Sequence, residues 1–521
     1  MRILQRLLLA ASMCCSLATA NAAPMDDAKA AYDRGDYAQA LKIFRPLAAQ
    51  GNADAKTSLG VMYDNGRGVT QNYQEALKWY GLAADQGDAL AQFNVGTMYL
   101  TGRGVTQDYQ EALKWFRLSA AQGDAAAQNN IGSAYFNSRG LAKNDQEALK
   151  WFRLAAAQGE PFAQNSIGGM YEKGYGVKQN YQEALKWYRL AADQGNADAQ
   201  ISIGGIYSNG YGVTQNHQEA LKWFRLAADQ GDALAQFNVG VIYSNGYGVT
   251  QNVKEALKWY RLAAAQGYAS AHYNLGLMYD EGKGVTQSYQ EALKWYRLAA
   301  AQGDANAQHN IGLMYDNGQG VSQNYQTAVK WFKLAAMQGD ALGQTNLGWM
   351  YQNGNGVTQD YQEALKWFRL AADQGNATAQ YNLGLLYFNG QGVAQNYQEA
   401  LKWFRLAADQ GYANAQHNIG VLYYRGHGVA QNYQEALKWF RLAADQGYAM
   451  AQYNIGVMYQ KGDGVLQDFI RAHMWLNLSS ASGYADGAKT RDVTAQRMTP
   501  QQIEKAQEMV RKCQARNFKG C

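Results

Sequence analysis

The sequence carries little excess charge for its length. Its 521 residues include 47 Lys and Arg against 42 Asp and Glu, a net charge of +5. A nucleic-acid-binding protein normally concentrates basic residues in one patch or domain, so this balance excludes nucleic acid as a partner. Apolar residues are not scarce, because 47% of the chain is hydrophobic and 12% is aromatic. That composition excludes an intrinsically disordered chain.

Long hydrophobic runs are missing, apart from one near the N-terminus. Arg2 and Arg6 precede an apolar stretch at residues 7–18, and small residues follow it up to Ala23. A membrane-spanning helix needs about 20 apolar residues, which this stretch does not reach. Residues 1–22 are therefore predicted to be a cleaved secretory signal peptide rather than an uncleaved anchor. The mature protein is expected in the periplasm or outside the cell, with no transmembrane segment.

Cysteine is also scarce, with four residues in the chain. Cys14 and Cys15 lie in the predicted signal peptide, which leaves Cys513 and Cys521 near the C-terminus. In an oxidising compartment such a pair is typical of a local disulfide. Two unpaired thiols on a mobile tail are the alternative.

Motifs of known catalytic chemistry are absent. The sequence has no nucleophile motif of a serine hydrolase, no zinc-protease motif, no C-x-x-C pair and no phosphate-binding glycine loop. The histidines are scattered, and each is interpreted as structural or solvated rather than as a metal ligand. They are His217, His272, His309, His417, His427 and His473. The sequence thus predicts a protein that is not an enzyme, with no cofactor and no metal site.

A strict internal period is the dominant feature of the sequence. The glycine at position 68 recurs every 36 residues up to Gly464, without an insertion or deletion. A fixed period of this length indicates stacked structural repeats. Twelve repeats of 36 residues are predicted at residues 37–468. Residues 23–36 are predicted to form an N-terminal capping helix, and residues 469–521 a partial repeat followed by C-terminal capping helices.

Each repeat contains the signals of two helices. Asn72 is typical of a helix N-cap, Glu75 is predicted to complete a capping box, and Gly87 ends this first helix. The second helix starts near Asp88 and contains Gly96, which costs about 1 kcal/mol relative to Ala inside a helix. A cost repeated in every copy indicates that a neighbouring helix crosses directly over the glycine. The predicted fold is all-α, an α-solenoid of about 12 to 13 helix-turn-helix repeats.

Some positions depart from this pattern. Pro46 lies inside a first helix and is predicted to kink or break it. Asp145 replaces a tyrosine and Ser138 replaces a turn glycine, so local fraying is predicted near them. Arg189 is predicted to pair with Asp193 on a solvated helix face.

The repeats resemble a known family. The pattern A-x-A-Q-x-N-L-G-x-M-Y-x-x-G-x-G-V-x-x-N/D-Y-x-x-A-L-x-W-Y/F-R-x-A-A-x-Q-G is similar to the Sel-1-like repeat (SLR) family, a relative of the tetratricopeptide repeats, over about residues 36–484. The resemblance implies right-handed superhelices of antiparallel helix pairs that serve as protein-interaction scaffolds. Residues 488–503 also resemble the closing helices of bacterial secreted members. Some cysteine-rich members have been linked to penicillin binding, but this chain lacks a cysteine pair in each repeat. A hydrolase of the penicillin-binding type is therefore the least favoured interpretation.

Four positions of the second helix vary between repeats, namely 90, 93, 97, 100 and their equivalents. Because they are spaced by three or four residues, they form one stripe on one helix face, here called the helix-B stripe. Aromatic side chains on this stripe, and tyrosines between the two turn glycines, are the candidate partner-binding residues. They are Phe93, Phe237, Tyr273, Trp349, Tyr381, Tyr424 and Tyr453 on the stripe, and Tyr175, Tyr211 and Tyr247 in the turns. Neutral drift at exposed positions is the alternative explanation.

The function predicted from the sequence is a non-catalytic scaffold in the bacterial cell envelope. It is expected to bind protein or peptide partners along the helix-B stripe. The alternative is a cell-wall or glycan-associated binding protein whose aromatic side chains contact saccharide.

Overall fold

The computed structural model of the chain describes residues 24–521, so the predicted signal peptide lies outside the described residues. The described part of the chain consists of helices and turns and contains no strand. The chain divides into two compact units, residues up to Ala263 and residues from Ala264 onward. Within both units two kinds of helix alternate, and we call the even-numbered ones A helices and the odd-numbered ones B helices, leaving out the first helical segment and the two closing helices.

The first unit begins with a helical segment at residues 24–33, α1. Its A helices are α2 (Tyr37–Ala49), α4 (Tyr73–Ala84), α6 (Tyr109–Ala121), α8 (Asp145–Ala157), α10 (Tyr181–Ala192), α12 (His217–Asp229) and the first part of α14 (Val253–Ala265). Its B helices are α3 (Ala53–Asn65), α5 (Ala89–Thr101), α7 (Ala125–Asn137), α9 (Pro161–Lys173), α11 (Ala197–Asn209) and α13 (Ala233–Asn245).

The second unit continues the alternation and ends in a longer helix. Its B helices are α15 (Ala269–Glu281), α17 (Ala305–Asn317), α19 (Ala341–Asn353), α21 (Ala377–Asn389), α23 (Ala413–Arg425) and α25 (Ala449–Lys461). Its A helices are α16 (Tyr289–Ala301), α18 (Tyr325–Met337), α20 (Tyr361–Asp373), α22 (Tyr397–Asp409), α24 (Tyr433–Ala444) and α26 (Phe469–Ala481). Two closing helices follow, α27 (Ala485–Ala495) and α28 (Pro500–Ala515).

The A helices begin at the predicted N-caps but without the predicted capping box. The Asn72 side chain accepts hydrogen bonds from the backbone N–H groups of Gln74 and Glu75, at 3.0 and 3.1 Å. The reciprocal bond, from the Asn72 N–H to the Glu75 carboxylate, does not form, because this N–H donates to the carbonyl of Tyr63 at 2.9 Å. The Glu75 carboxylate instead lies 3.4 Å from Lys78. The capping-box prediction is therefore wrong for this repeat.

Two turn glycines follow the B helices, except after α7, where Ser138 takes the first place, and the two have different roles. Gly102 ends α5 in the left-handed region, with φ 72°. Gly104 also has positive φ, at 71°, and a methyl group added there would lie 2.7 Å from the Tyr73 backbone. The second glycine therefore allows the turn to lie against the start of the preceding A helix.

The glycine inside each B helix from α3 to α23 lies under an aromatic ring, as its repetition predicted, whereas Gly456 of α25 lies against Leu476. A methyl group added at Gly96 would lie 2.8 Å from the Phe116 ring and 3.1 Å from the Ala112 carbonyl oxygen. The bare glycine thus lets α6 approach α5 closely. Trp115, from the same A helix, lies against the apolar cluster of the preceding repeat around Tyr80 and Val95, which supports core packing as the role of the repeated tryptophans.

Buried glutamines connect successive repeats. The Gln92 side chain donates to the Ala84 carbonyl at the end of α4, and it accepts a bond of 2.8 Å from Gln122. The same pair recurs in the second unit, where Gln446 donates to Gln416 at 2.8 Å. His272 takes the glutamine position in one repeat, where its ring nitrogens lie 3.0 Å from the Ala264 carbonyl and 3.2 Å from Gln302. This polar connection runs beside the apolar core.

Two of the predicted irregularities differ from expectation. Helix α2 runs without interruption from Tyr37 to Ala49 and contains Pro46 near its end, so the predicted break does not occur. Arg189 donates to the hydroxyl of Tyr207 at 2.7 Å, and no ion pair with Asp193 forms in the described residues. The prediction of that ion pair is wrong, because the arginine side chain extends to the tyrosine of the next B helix instead of to Asp193.

The C-terminal helices cover the last repeat. Met474, Trp475 and Leu478 of α26 form one buried cluster with Ala506, Val510 and Cys513 of α28. Cys513 and Cys521 are joined by a disulfide, with their Cα atoms 5.5 Å apart. The disulfide holds the chain end close to the last turn of α28.

Candidate binding surface

Several aromatic side chains of the helix-B stripe lie against the aromatic ring of the following A helix. Phe93 is half-buried with its ring centroid 5.8 Å from that of Phe116. The same arrangement joins Phe237 to Tyr260 at 5.8 Å. In the second unit, further stripe residues occupy this place, with ring centroids 5.9 Å apart for Tyr273 and Tyr296 and 5.8 Å apart for Tyr381 and Phe404. These stripe aromatics are therefore supported from beneath by a core ring.

Histidines at the position equivalent to Phe93 form hydrogen bonds with an asparagine of the following B helix. The Asn346 amide lies 2.8 Å from Nε2 of His309, and the Asn454 amide lies 2.9 Å from Nε2 of His417. Nδ1 of His417 lies 3.2 Å from Oδ1 of Asn418. These bonds fit a neutral ring that donates from Nδ1 and accepts at Nε2.

Burial keeps the titratable groups of the stripe uncharged near neutral pH. It lowers the pKa of His309, and it lowers the pKa of His417 to about 4. Burial, together with the neighbouring Tyr448 and Tyr412, raises the pKa of Tyr381 to about 12. The stripe therefore offers neutral hydrogen-bonding groups rather than an acid–base pair.

Open grooves run between successive B helices. In the first unit a groove of about 320 Å³ has Phe136, Asn165, Gly169 and Tyr175 among its lining residues. The Asn165 carbonyl oxygen in this groove has no hydrogen-bond partner. Gly169 has no side chain, so it leaves the space open.

A second groove lies near the end of the second unit. It has a volume of about 350 Å³, and its walls include His417, Tyr424 and Tyr453. The Tyr424 hydroxyl donates to Asp463 at 2.6 Å, and the Tyr453 ring lies 5.1 Å from that of Tyr484. Both tyrosines are thus fixed in position before any ligand binds.

The three turn tyrosines are between 41 and 48% exposed, more than the stripe aromatics other than Trp349. Tyr211 stacks on Tyr181 with ring centroids 5.3 Å apart, and Tyr247 stacks on His217 at 5.0 Å. Both stacking partners, Tyr181 and His217, are the first residues of A helices. Tyr175 instead contacts Phe136 at 5.6 Å and belongs to the first groove.

Among the predicted stripe residues, Trp349 is the most accessible, with 42% of its surface exposed. Exposed apolar side chains at the first stripe position were not named from the sequence, although they are equally available. They are Leu90, Phe162, Leu234, Leu342 and Met450. Their position in the first turn of a B helix was visible in the sequence, but their exposure depends on how the neighbouring repeats pack.

The described residues contain no group of three or more His, Cys, Asp or Glu side chains placed to hold a metal ion. In residues 24–521 none of the helices has the length and apolar character needed to cross a membrane. What the stripe offers chemically is aromatic and aliphatic surface beside amide and imidazole hydrogen-bonding groups.

Stacked helix pairs with a variable surface stripe define the class of tandem helical repeat proteins. Comparison with known proteins gives the family. The model of the Sel1 repeat family matches twelve consecutive blocks of 36 residues, from 53–88 to 449–484. The chain belongs to the Sel1 repeat family, and the predicted all-α solenoid of 36-residue repeats is confirmed.

Two solved structures illustrate the likeness. The crystal structure of c5321, a protective antigen present in uropathogenic Escherichia coli strains and displaying an SLR fold, is 35% identical over 85% of this chain and 95% of that chain, with a TM-score of 0.74. A Sel1 repeat protein from Oxalobacter formigenes is 35% identical over 60% of this chain and 90% of its own, with a TM-score of 0.47. A comparison with the curated proteins gave no match.

Proposed function

We propose that this protein is a non-catalytic scaffold of the bacterial cell envelope that binds protein partners along the helix-B stripe. Repeat proteins of the Sel1 and tetratricopeptide type generally mediate protein–protein interaction. The observation that carries the finer proposal is the pair of grooves between B helices. Variable side chains line these grooves together with core aromatics such as Phe152 and Phe440.

The physical character of the stripe supports a protein ligand. Its rings are held by core aromatics, so they lose little conformational freedom when a partner binds. Trp349 and Phe162 offer large apolar area, and residues of this kind often dominate interface energies.

The location in the cell envelope rests on residues 1–22. Their basic start, short apolar stretch and small residues are typical of a secretory signal peptide. Fractionation of cells that express the full chain, with N-terminal sequencing of the mature protein, tests this part of the proposal. A cytoplasmic protein that retains Met1 would contradict it.

Site-specific photo-crosslinking in cells tests the stripe itself. A photoreactive amino acid is placed at position 349 on the stripe and, as a matched control, at position 190 on an A helix, where Leu190 is 49% exposed. We expect a discrete protein adduct from position 349 and not from position 190. Mass spectrometry identifies the adduct, and Trp349→Ala should then reduce co-purification of the same protein.

Two other outcomes would overturn the proposal. Equal adducts from positions 349 and 190 would mean that the variability of the stripe is neutral drift. Retention of the protein on insoluble peptidoglycan, lost on Tyr211→Ala with Tyr247→Ala, would favour the cell-wall alternative.

A further inference from the structure

The outer face of the A helices carries an exposed leucine in repeat after repeat. In the second unit these leucines are between 42 and 48% exposed. They are Leu298, Leu334, Leu370, Leu406 and Leu442. Scattered surface leucines are ordinary, but a row of them at one structural position marks a surface that can be covered.

The last A helix shows what covers this face. Leu478 is the equivalent leucine of α26, and it is completely buried by α28. At the position where other A helices have an exposed lysine, α26 has Met474, which is 2% exposed. Helices α26 and α28 thus show how an amphipathic helix packs on the outer face of an A helix.

Helix α18 is the A helix whose uncovered face most resembles the covered one. Leu334 and Met337 occupy the positions of Leu478 and Ala481, and Met337 is 69% exposed. The two side chains lie three residues apart and therefore share one helix face. Together they form a larger apolar surface than the single leucine of the neighbouring A helices.

The charge of α18 also differs from that of its neighbours. Thr327 replaces the glutamate that pairs with lysine in α20, where Lys366 lies 3.3 Å from Glu363. Lys333 replaces the arginine that in α16 donates to the hydroxyl of Tyr315, at 2.9 Å. Helix α18 contains no acidic residue in its sequence YQTAVKWFKLAAM.

The two lysines of this helix are left without acidic partners. No ion pair forms at Lys330 or Lys333 in the described part of the chain. The nearby Asp340 is used as the N-cap of α19, where it accepts from the N–H of Gly343. The face of α18 therefore combines an apolar patch with two uncompensated positive charges.

We propose that Lys330, Lys333, Leu334 and Met337 form a docking site for an amphipathic helix of a partner protein with acidic residues beside its apolar face. The partner helix lies on α18 as α28 lies on α26. The lysines select the acidic partner and disfavour α28 itself, whose exposed side chains include Lys505, Arg511 and Lys512. This site is separate from the helix-B stripe and does not depend on it.

The test uses the full mature chain and two synthetic helices made from residues 500–515. Both probes carry Cys513→Ser and Glu508→Lys, and a lactam bridge between the side chains at positions 504 and 508, on the exposed side, holds them helical. One keeps the native basic residues, and the other carries Lys505→Glu, Arg511→Glu and Lys512→Glu. Fluorescence anisotropy measures their binding. We expect the acidic probe to bind about tenfold more tightly than the basic probe, or better.

Variants of the chain locate the site. Leu334→Ser with Met337→Ser should weaken the acidic probe about tenfold or more, at unchanged helicity by circular dichroism. The matched control is Leu226→Ser with Asp229→Ser at the equivalent positions of α12, which should leave binding unchanged. Lys330→Glu with Lys333→Glu should reverse the preference toward the basic probe.

The proposal is overturned if the acidic probe binds no better than the basic one. It is also overturned if the α18 and α12 variants lose binding equally. Because Trp349→Ala should leave probe binding intact, failure of this site and failure of the stripe can be told apart.

Discussion

At the scale of single residues, the repeats supply their own controls, because one structural position occurs with several side chains. Glycines show this most directly. Gly96 lies under the Phe116 ring, whereas Gly81, inside α4, has open space where a methyl group would be. The same change of glycine to alanine should therefore have opposite effects at the two positions.

We predict that Gly96→Ala destabilises the protein by about 1 to 3 kcal/mol through overpacking. Gly81→Ala should stabilise it by up to about 1 kcal/mol, because alanine has the higher helix propensity. Urea unfolding followed by circular dichroism measures both changes. Destabilisation by both substitutions would show that α4 has less room at Gly81 than the structure indicates.

Ser138 is a second residue with a measurable cost. It ends α7 with φ 58°, where the other B helices of the repeats have glycine. Because the left-handed region costs a non-glycine residue about 1 kcal/mol, Ser138→Gly should stabilise the protein by about that amount and slow hydrogen exchange in α7 and α8. Ser133→Gly, inside α7, is the control and should destabilise by about 0.5 kcal/mol. Fraying near Asp145 that persists in Ser138→Gly would need another cause.

His417 makes stability depend on pH. Burial lowers its pKa from 6.5 to about 4, so the folded state favours the neutral ring. The associated stability is complete above pH 6.5 and is lost as the pH falls toward 4, by about 2 kcal/mol at pH 5. Hydrogen exchange of α23 and α25 at pH 7.5 and pH 5 measures this loss. His417→Asn, a residue that other repeats have at this position, should reduce the pH dependence; an unchanged profile would assign it to other groups.

At the scale of elements, neighbouring helices are joined both by apolar clusters and by the buried glutamines. Gln416 donates to the Ala408 carbonyl at 3.3 Å and accepts from Gln446. Gln452 occupies the same position one repeat later, fully buried, but neither its amide nitrogen nor its oxygen has a partner. The series of hydrogen bonds between glutamines of successive repeats therefore ends at the last regular repeat.

This contrast predicts opposite effects for one substitution. Gln416→Leu should destabilise by about 1 to 3 kcal/mol, since it leaves buried polar groups unpaired. Gln452→Leu should be neutral or stabilising, because it removes an unpaired amide from an apolar site. Chemical denaturation measures the free energy of unfolding of both variants. An equal loss of stability in the two would show that Gln452 has hydrogen-bond partners in solution.

The elements also show how much the sequence determined. The period of 36 residues predicted the helix pairs, their N-caps and the close approach at Gly96, because each requirement recurs in every copy. The capping box at Glu75 failed because the Asn72 N–H is bonded to Tyr63, a contact that depends on the geometry of the glycine turn. The leucines on the outer face of the A helices and the support of Phe93 by Phe116 depend on packing between helices, which the pattern within one helix does not contain.

At the scale of the whole molecule, a repeat array must protect its ends. Helix α28 does this by burying Met474, Trp475 and Leu478. The replacement of lysine by Met474 suits a covered position, since a buried lysine would lose its hydration. Few side chains therefore distinguish the last A helix, which is covered, from the uncovered A helices of the preceding repeats.

We predict that a chain ending at Thr499 loses hydrogen-exchange protection in α26 and α27 and associates as its concentration rises. The newly exposed apolar surface drives both changes. Met474→Lys in the shortened chain should reduce the association, because it restores the residue of the other A helices. Sedimentation velocity over a range of concentrations measures it, and a shortened chain that stays monomeric would argue against a covering role for α28.

The regular spacing of the contacts has a consequence for the gene. Gln122 reaches back 30 residues to Gln92, and Asn454 reaches back 37 residues to His417. Each contact joins one repeat to its neighbour, so the loss or duplication of 36 codons inside a unit rejoins equivalent partners. Recombination between such similar segments can change the number of repeats in one step while every new junction still folds. Selection on this protein can therefore act on how many repeats it has as well as on which residues they carry.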